Sequence, residues 1–234
     1  DRYTYQVMCR NLLKLFRQFG IKATFFCVAD QLEIKANRDV FCEIMADGHE
    51  IGNHTLSHPD LSRLSEGDHV DNIKRGHDRI YEMLRAEPVG YRAPAYYINK
   101  RALQVLAGMG YCYDSSICRS LLTQSLLKGL EIIKRGVVRI KKQSLLNAEF
   151  AGAGPYLVGF GDGRKILEWP IPESLGVSYY GTAHCALPAV FFRAQTQWLD
   201  SSKNHIHYEI HPIELIPPEC VAEFPWLENV PFAR

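Results

Sequence analysis

The sequence predicts an α/β fold built on a parallel sheet. Two observations predict it. Short β-rich runs alternate with helical stretches through residue 114, and the helical stretches carry their own start and stop signals. Strands in such folds end at the loops that carry chemistry.

Residues 4 to 19 place Met8, Leu12, Leu15, Phe16 and Phe19 at helical spacing, and Gly20 stops the helix. The run IKATFFCV, residues 21 to 28, is too short for a helix and suits a buried strand. A helical stretch from about 36 to 46 ends at Asp47-Gly48, and His49 to Asn53 reads as the next strand. Ser65 is an N-cap for a long helix to about Arg85, with Ile73, Ile80, Met83 and Leu84 on one face. Pro88 to Tyr91 reads as a short strand, Asn99 caps a helix through Met109, and Tyr111 to Tyr113 forms a strand ending at Asp114.

Beyond 117 the pattern is less regular. Residues 121 to 142 are apolar and basic without a clean period. AGAGPYLVGFGDGR, residues 151 to 164, holds five glycines and resembles a hairpin; no GK[ST] follows, so it is not a phosphate loop. Residues 166 to 171 (ILEWPI) read as a strand and 187 to 199 as a helix. Residues 204 to 211, NHIHYEIH, alternate strictly, with His205, His207, Glu209 and His211 on one face. There is no internal repeat and no linker, so the 234 residues are read as a single domain.

Composition narrows the function classes. Hydrophobic content of 47% and charged content of 23% are ordinary for a globular protein. The net charge of +1, with scattered Lys and Arg, gives no nucleic-acid footprint. No apolar run approaches the ~20 residues of a membrane span. The seven cysteines form no CxxC pair, which excludes zinc-finger spacing and favours a reducing compartment over a disulfide scaffold.

Three stretches carry candidate chemistry. In HEIGNHTLSH, residues 49 to 58, His49 and His54 are five apart and Gly52 intervenes, so this is not the HExxH zinc helix. His54 and His58, at i and i+4, can place two imidazoles on one metal from a turn of helix. The plainer reading is a polar turn with Thr55 and Ser57 bonding locally. In GYRAPAYY, residues 90 to 97, Arg92 follows a strand and needs a carboxylate partner if buried, with Asp114 of YDSS the candidate; the two are equally readable as a structural pair. His211 of EIHP ends a strand, where a histidine is either structural or a general acid. Trp169, Trp198 and Trp226 fit sugar stacking or, more commonly, core packing.

Taken in order, GIKATFF (20–26), DGHEIGNHTLSHPDLSRLS (47–65), GYRAPAYY (90–97), YCYDSSI (111–117) and EIHP (209–212) resemble the polysaccharide deacetylase family, carbohydrate esterase family 4. The N-terminal stretch is most similar to members acting in bacterial exopolysaccharide and O-antigen assembly. The resemblance implies a distorted parallel (β/α) barrel that removes N- or O-acetyl groups from sugars with a divalent metal, commonly zinc. It implies His54 and His58 as metal ligands, Arg92 as the holder of the catalytic carboxylate, Asp114 as a supporting carboxylate and His211 as general acid. The backbone at Ala95, with Tyr96 beside it, falls at the substrate and oxyanion position, where the family usually has a tyrosine.

One departure stands out. The family carries an aspartate pair at the end of its first strand, supplying the base and the third metal ligand. Asp1 is the only acidic residue ahead of GIKATFF, and no strand precedes it. The expectation is that the first strand, the base and the third ligand lie upstream of Asp1; otherwise the domain is inactive. The implied partner is an acetylated glycan or sugar precursor in a bacterium, with the cytoplasm favoured and the periplasm left open. A non-catalytic glycan-binding relative and a cyclic-amide hydrolase are the alternatives.

Overall fold

A computed structural model describes residues 4–118, 154–174, 176–185, 187–201 and 207–215. The chain divides into two compact units: residues 1–117 with 155–170, and residues 118–154 with 171–234.

The first unit holds a six-stranded sheet ordered β1-β2-β3-β4-β6-β5. Its strands are β1 (Thr24–Cys27), β2 (Glu50–Asn53), β3 (Gly90–Tyr91), β4 (Tyr113–Asp114), β5 (Tyr156–Gly159) and β6 (Lys165–Glu168). β1 through β4 and β6 are mutually parallel; β5 and β6 form an antiparallel hairpin at one edge. Helix α1 (Arg10–Phe19) leads into β1, and α2 (Lys35–Ala46), α3 (Glu66–Leu84) and α4 (Lys100–Gly108) connect the successive parallel strands β1 to β4. The alternation seen in the sequence is therefore the parallel α/β pattern, because only a crossover helix returns the chain to start a parallel neighbour.

Caps fix the helix ends. Gly20 closes α1 in the left-handed region at φ 65°. Ser65 and Asn99 accept from the backbone N–H of Asp68 and Ala102 at the starts of α3 and α4. The buried face of the first helical segment differs from the one expected. Met8, Cys9, Leu12 and Leu13 are buried, whereas Leu15 and Phe19 are exposed. A π-helical turn over Thr4–Cys9, which buries Met8 and Cys9, precedes the regular helix that buries Leu12 and Leu13.

The core of this unit joins α1, β1, α2, β2 and α3 through Leu13, Cys27, Leu32, Val40, Phe41, Ile44, Ile51 and Ile80. Each fully buried Leu, Ile, Val or Phe contributes about 1.5–3 kcal/mol relative to exposure. Cys9, Cys27 and Cys118 are buried thiols outside any disulfide among the described residues. Burial pushes the Cys27 thiol well up, so it packs as an inert apolar group.

The second unit contains a small antiparallel ribbon, β7 (Glu173–Ser174) with β8 (Val177–Ser178), and helices α5 (Gly181–Cys185) and α6 (Ala189–Ser201). The strand expected over 204 to 211 is reduced, among the described residues, to one parallel bridge between Tyr180 and Glu209. Residues 121 to 142 lie outside the described residues.

Candidate active site

The ladder of the parallel strands continues one residue past their carboxyl ends. The backbone N–H of His54 donates to Cys27, that of Arg92 to Asn53, that of Ser115 to Tyr91 and that of Trp169 to Asp114. His54, Arg92 and Ser115 therefore leave adjacent strands at one edge of the sheet. This is where parallel sheets place their ligand sites, since the chain turns outward there and side chains lose strand alternation.

His54 and His58 are in an irregular loop, not on the turn of helix expected from their spacing. Thr55 at φ 68° and His58 at φ 53° both take the left-handed region, which folds five residues back on themselves. For a β-branched Thr this is a strained conformation, of a kind that surrounding contacts must enforce. The contacts are visible. Thr55 and Leu56 carbonyls accept from Ala29 and Asp30, the Leu56 N–H donates to Asn72, and the His58 N–H donates to Thr55 Oγ1 at 3.1 Å. The two imidazoles end with ring centroids 4.9 Å apart. His54 Nδ1 lies 2.7 Å from the Arg92 carbonyl. A carbonyl only accepts, so Nδ1 carries the proton and Nε2 keeps its lone pair, the arrangement a metal-ligating imidazole needs.

Arg92 is buried and anchored. Its Nε donates to the Ser115 carbonyl at 2.9 Å, its Nη2 to Ser115 Oγ at 2.8 Å, and its guanidinium lies 4.6 Å from the Phe26 ring centroid. Asp114 is one position behind, paired in register with Tyr91 on one side and Glu168 on the other. Both carboxyls are fully buried. Asp114 accepts from the Ser116 N–H at 3.2 Å and the Ser116 hydroxyl at 2.6 Å. Glu168 accepts from the Ile117 N–H through Oε1. Burial, then the Asp114 charge, raises Glu168 well above the ordinary carboxyl range; burial raises Asp114 too, opposed by bonds from Glu168 and Ser116 and by the Arg92 charge. Glu168 is the more strongly raised of the two, because burial and the Asp114 charge act on it in the same direction. Sequence reading missed Glu168, and the signal was available: a lone carboxylate inside the apolar strand ILEWPI.

The loop after Arg92 carries Ala95 and Tyr96, both left-handed at φ 51° and 57°. The Ala93 N–H donates to Ser116 Oγ at 2.8 Å, which ties this loop to Asp114 through one hydroxyl. The Tyr96 N–H turns back to the Ala93 carbonyl. Of the five non-glycine residues with positive φ among those described, four (Thr55, His58, Ala95, Tyr96) lie in these two loops. Strain gathered this way marks a functional site rather than a fold requirement.

His211 belongs to the second unit. It is half-exposed, with Nδ1 2.8 Å from Glu214 Oε1 and its backbone N–H also on Glu214. Its Nε2 lies 3.8 Å from Glu209 Oε1, so the ring sits between two carboxylates. His49 is a packing residue: it is buried between Phe16 and Phe25 and accepts from the Ala23 N–H. Trp169 is half-buried at the end of β6, Trp198 is exposed on α6, and Trp226 lies outside the described residues.

Two adjacent imidazoles, His54 with its tautomer fixed, fit two positions on a divalent metal. Among the described residues no group of three His, Cys, Asp or Glu side chains is arranged to hold a metal ion.

The model of the polysaccharide deacetylase family matches residues 1–113. That segment belongs to the polysaccharide deacetylase family. The chain is 33% identical over 109 residues to a peptidoglycan-N-acetylglucosamine deacetylase of Bacillus cereus, covering 47% of each protein. It is 31% identical over 104 residues to a chitin deacetylase of Colletotrichum lindemuthianum, covering 43% of this chain and 42% of that one. The matches thus span less than half the length of these two relatives. A Mycobacterium smegmatis structure described as a polysaccharide deacetylase aligns with a TM-score of 0.66 at 20% identity, over 97% of this chain and 72% of the other. At that identity the likeness shows the fold, the (β/α)-barrel type of this family.

Proposed function

We propose that the protein is a metal-dependent hydrolase removing acetyl groups from an N- or O-acetylated sugar of a bacterial surface polysaccharide, O-antigen or exopolysaccharide, or of its precursor. The observation that carries this reading is the His54–His58 pair, held at the strand edge beside Arg92 with the His54 tautomer fixed by the Arg92 carbonyl. A divalent metal there, zinc by donor type, would polarise the acetyl carbonyl and activate a water. The remaining roles fall to the chain. His54 and His58 hold the metal, and the third ligand and the base come from outside the described residues. Arg92, with Asp114 behind it, orients the base carboxylate. The N–H of Ala95, beside Tyr96, faces the developing oxyanion. His211 protonates the leaving group from Nε2. The family relatives that act on chitin and peptidoglycan support an acetylated aminosugar polymer as substrate class. Free thiols at Cys9, Cys27, Cys42, Cys112 and Cys118 support a reducing, cytoplasmic setting.

A second reading, a glycan binder without turnover, draws on the two-imidazole donor set. The test is metal content after zinc loading, together with acetate release from N-acetylglucosamine oligomers. We expect stoichiometric zinc in the parent, none in His54→Ala, and zinc without turnover in His211→Ala. Glycan binding with neither zinc nor acetate release in the parent would withdraw the catalytic reading.

A further inference from the structure

A chain of hydrogen bonds runs from the protein surface to the histidine loop, and nothing in the reaction outlined above uses its outer half. It begins at Glu87, which lies 3.5 Å from His77 Nε2. His77 Nδ1 is 3.0 Å from the Tyr111 hydroxyl. That hydroxyl is 2.8 Å from Asn53 Nδ2, and Asn53 Oδ1 accepts from the Thr55 N–H at 2.8 Å. Thr55 Oγ1 in turn accepts the His58 N–H. Asn53 and Thr55 are fully buried, and Tyr111 nearly so.

The polarity at Asn53 is determined. Asn53 Nδ2 also donates to the Ile73 carbonyl, and Oδ1 takes an N–H, so the amide cannot be flipped. Asn53 therefore donates to the Tyr111 oxygen, and that hydroxyl meets His77 Nδ1, whose ring turns Nε2 to Glu87. Tyr111 thus joins His77 to Asn53, and a change there is felt at the amide that holds the strained Thr55 in place. Gly76 removes the one obstacle: a Cβ there would sit 2.7 Å from Asn53 Oδ1.

We propose that Tyr111 and His77 are positioning residues, setting the conformation of the 54–58 loop and through it the approach of the His54 and His58 imidazoles. Neither touches substrate or metal. The inference rests on the reading of those imidazoles as a metal pair, but its test does not depend on that reading alone.

Long-range 1H–15N spectra of the imidazole nitrogens, assigned with His54→Ala and His58→Ala, report the loop directly. Zinc titration of the same samples reports affinity. Tyr111→Phe keeps the ring and removes the hydroxyl. It should shift the His54 and His58 signals and weaken zinc binding about 10-fold or more, the usual range for residues that orient metal ligands. His77→Gln, which keeps an acceptor for the hydroxyl, should stay close to the parent, and His77→Leu should reproduce Tyr111→Phe. A Tyr111→Phe protein that melts lower but keeps parental His54 and His58 signals would overturn the proposal, since the chain would then be structural only. If the parent itself takes up no zinc, the metal reading fails, and the imidazole signals alone decide the positioning role.

Discussion

Asp114 and Glu168 sit in register on adjacent parallel strands, both fully buried, and burial raises both carboxyls above their ordinary range. The pair lies behind Arg92, so its protonation state is coupled to the guanidinium at the strand edge.

This pair gives the protein an alkaline sensitivity. Burial, then the Asp114 charge, raises the Glu168 carboxyl well above its ordinary value of 4.5. The stabilisation is complete below that value and is lost as pH rises towards the folded-state value, at a slope of about 1.4 kcal/mol per pH unit for each proton released. Gln at 168 donates to Asp114 and accepts from Ile117 without titrating. Thermal melts of Glu168→Gln between pH 5 and about pH 9 are expected to be flatter than those of the parent. Parallel curves would show that Glu168 is already ionised.

His69 gives the opposite slope. It is 1% exposed on α3, neither ring nitrogen has a hydrogen-bond partner, and burial lowers it from 6.5 to about 4. The unfolded chain takes up the proton first, so stability is full above 6.5 and falls as pH drops towards 4. The loss is on the order of 3 kcal/mol across that window. His69→Leu should remove this acid limb and leave stability at pH 7 equal or higher. A chemical-denaturation series against pH checks it, and an unchanged acid limb counts against the assignment.

Arg92→Lys tests the fork. The guanidinium meets the Ser115 carbonyl and hydroxyl together and covers the Phe26 ring. An ammonium reproduces one of these contacts at a time. The variant should lose about 1–3 kcal/mol from the unmet buried acceptors and most of its acetate release. Parental turnover would remove Arg92 from the site.

Gly76→Ala presses on the histidine loop from α3. The added Cβ meets Asn53 Oδ1 at 2.7 Å and the Thr55 carbonyl carbon at 2.8 Å, so backbone must move. A cost of about 1–3 kcal/mol is expected, against a gain of several tenths for an unobstructed helix position. Denaturant melts decide the sign, and a stabilised variant would show that the loop yields freely.

The order of elements through Asp114, the caps at Gly20, Ser65 and Asn99, and the resemblance to the family are legible along the chain alone. These are local signals: period, capping side chains and consecutive motif residues are written along the chain. The sequence also offered His54 and His58 by their i, i+4 spacing, and Arg92 and Asp114 as residues at strand ends, with their roles implied by the family resemblance. How they are held depends on contacts between distant parts of the chain. The i, i+4 spacing of the histidines suggested a helix, and the Thr55 contacts to Ala29 and Asn53 enforce a strained loop instead. Glu168 meets Asp114 across 54 positions of chain, and Tyr111 meets Asn53 across 58. Such pairings depend on which strands become neighbours and in what register, and a parallel sheet fixes both through helices that bury no trace of the pairing in their own sequence.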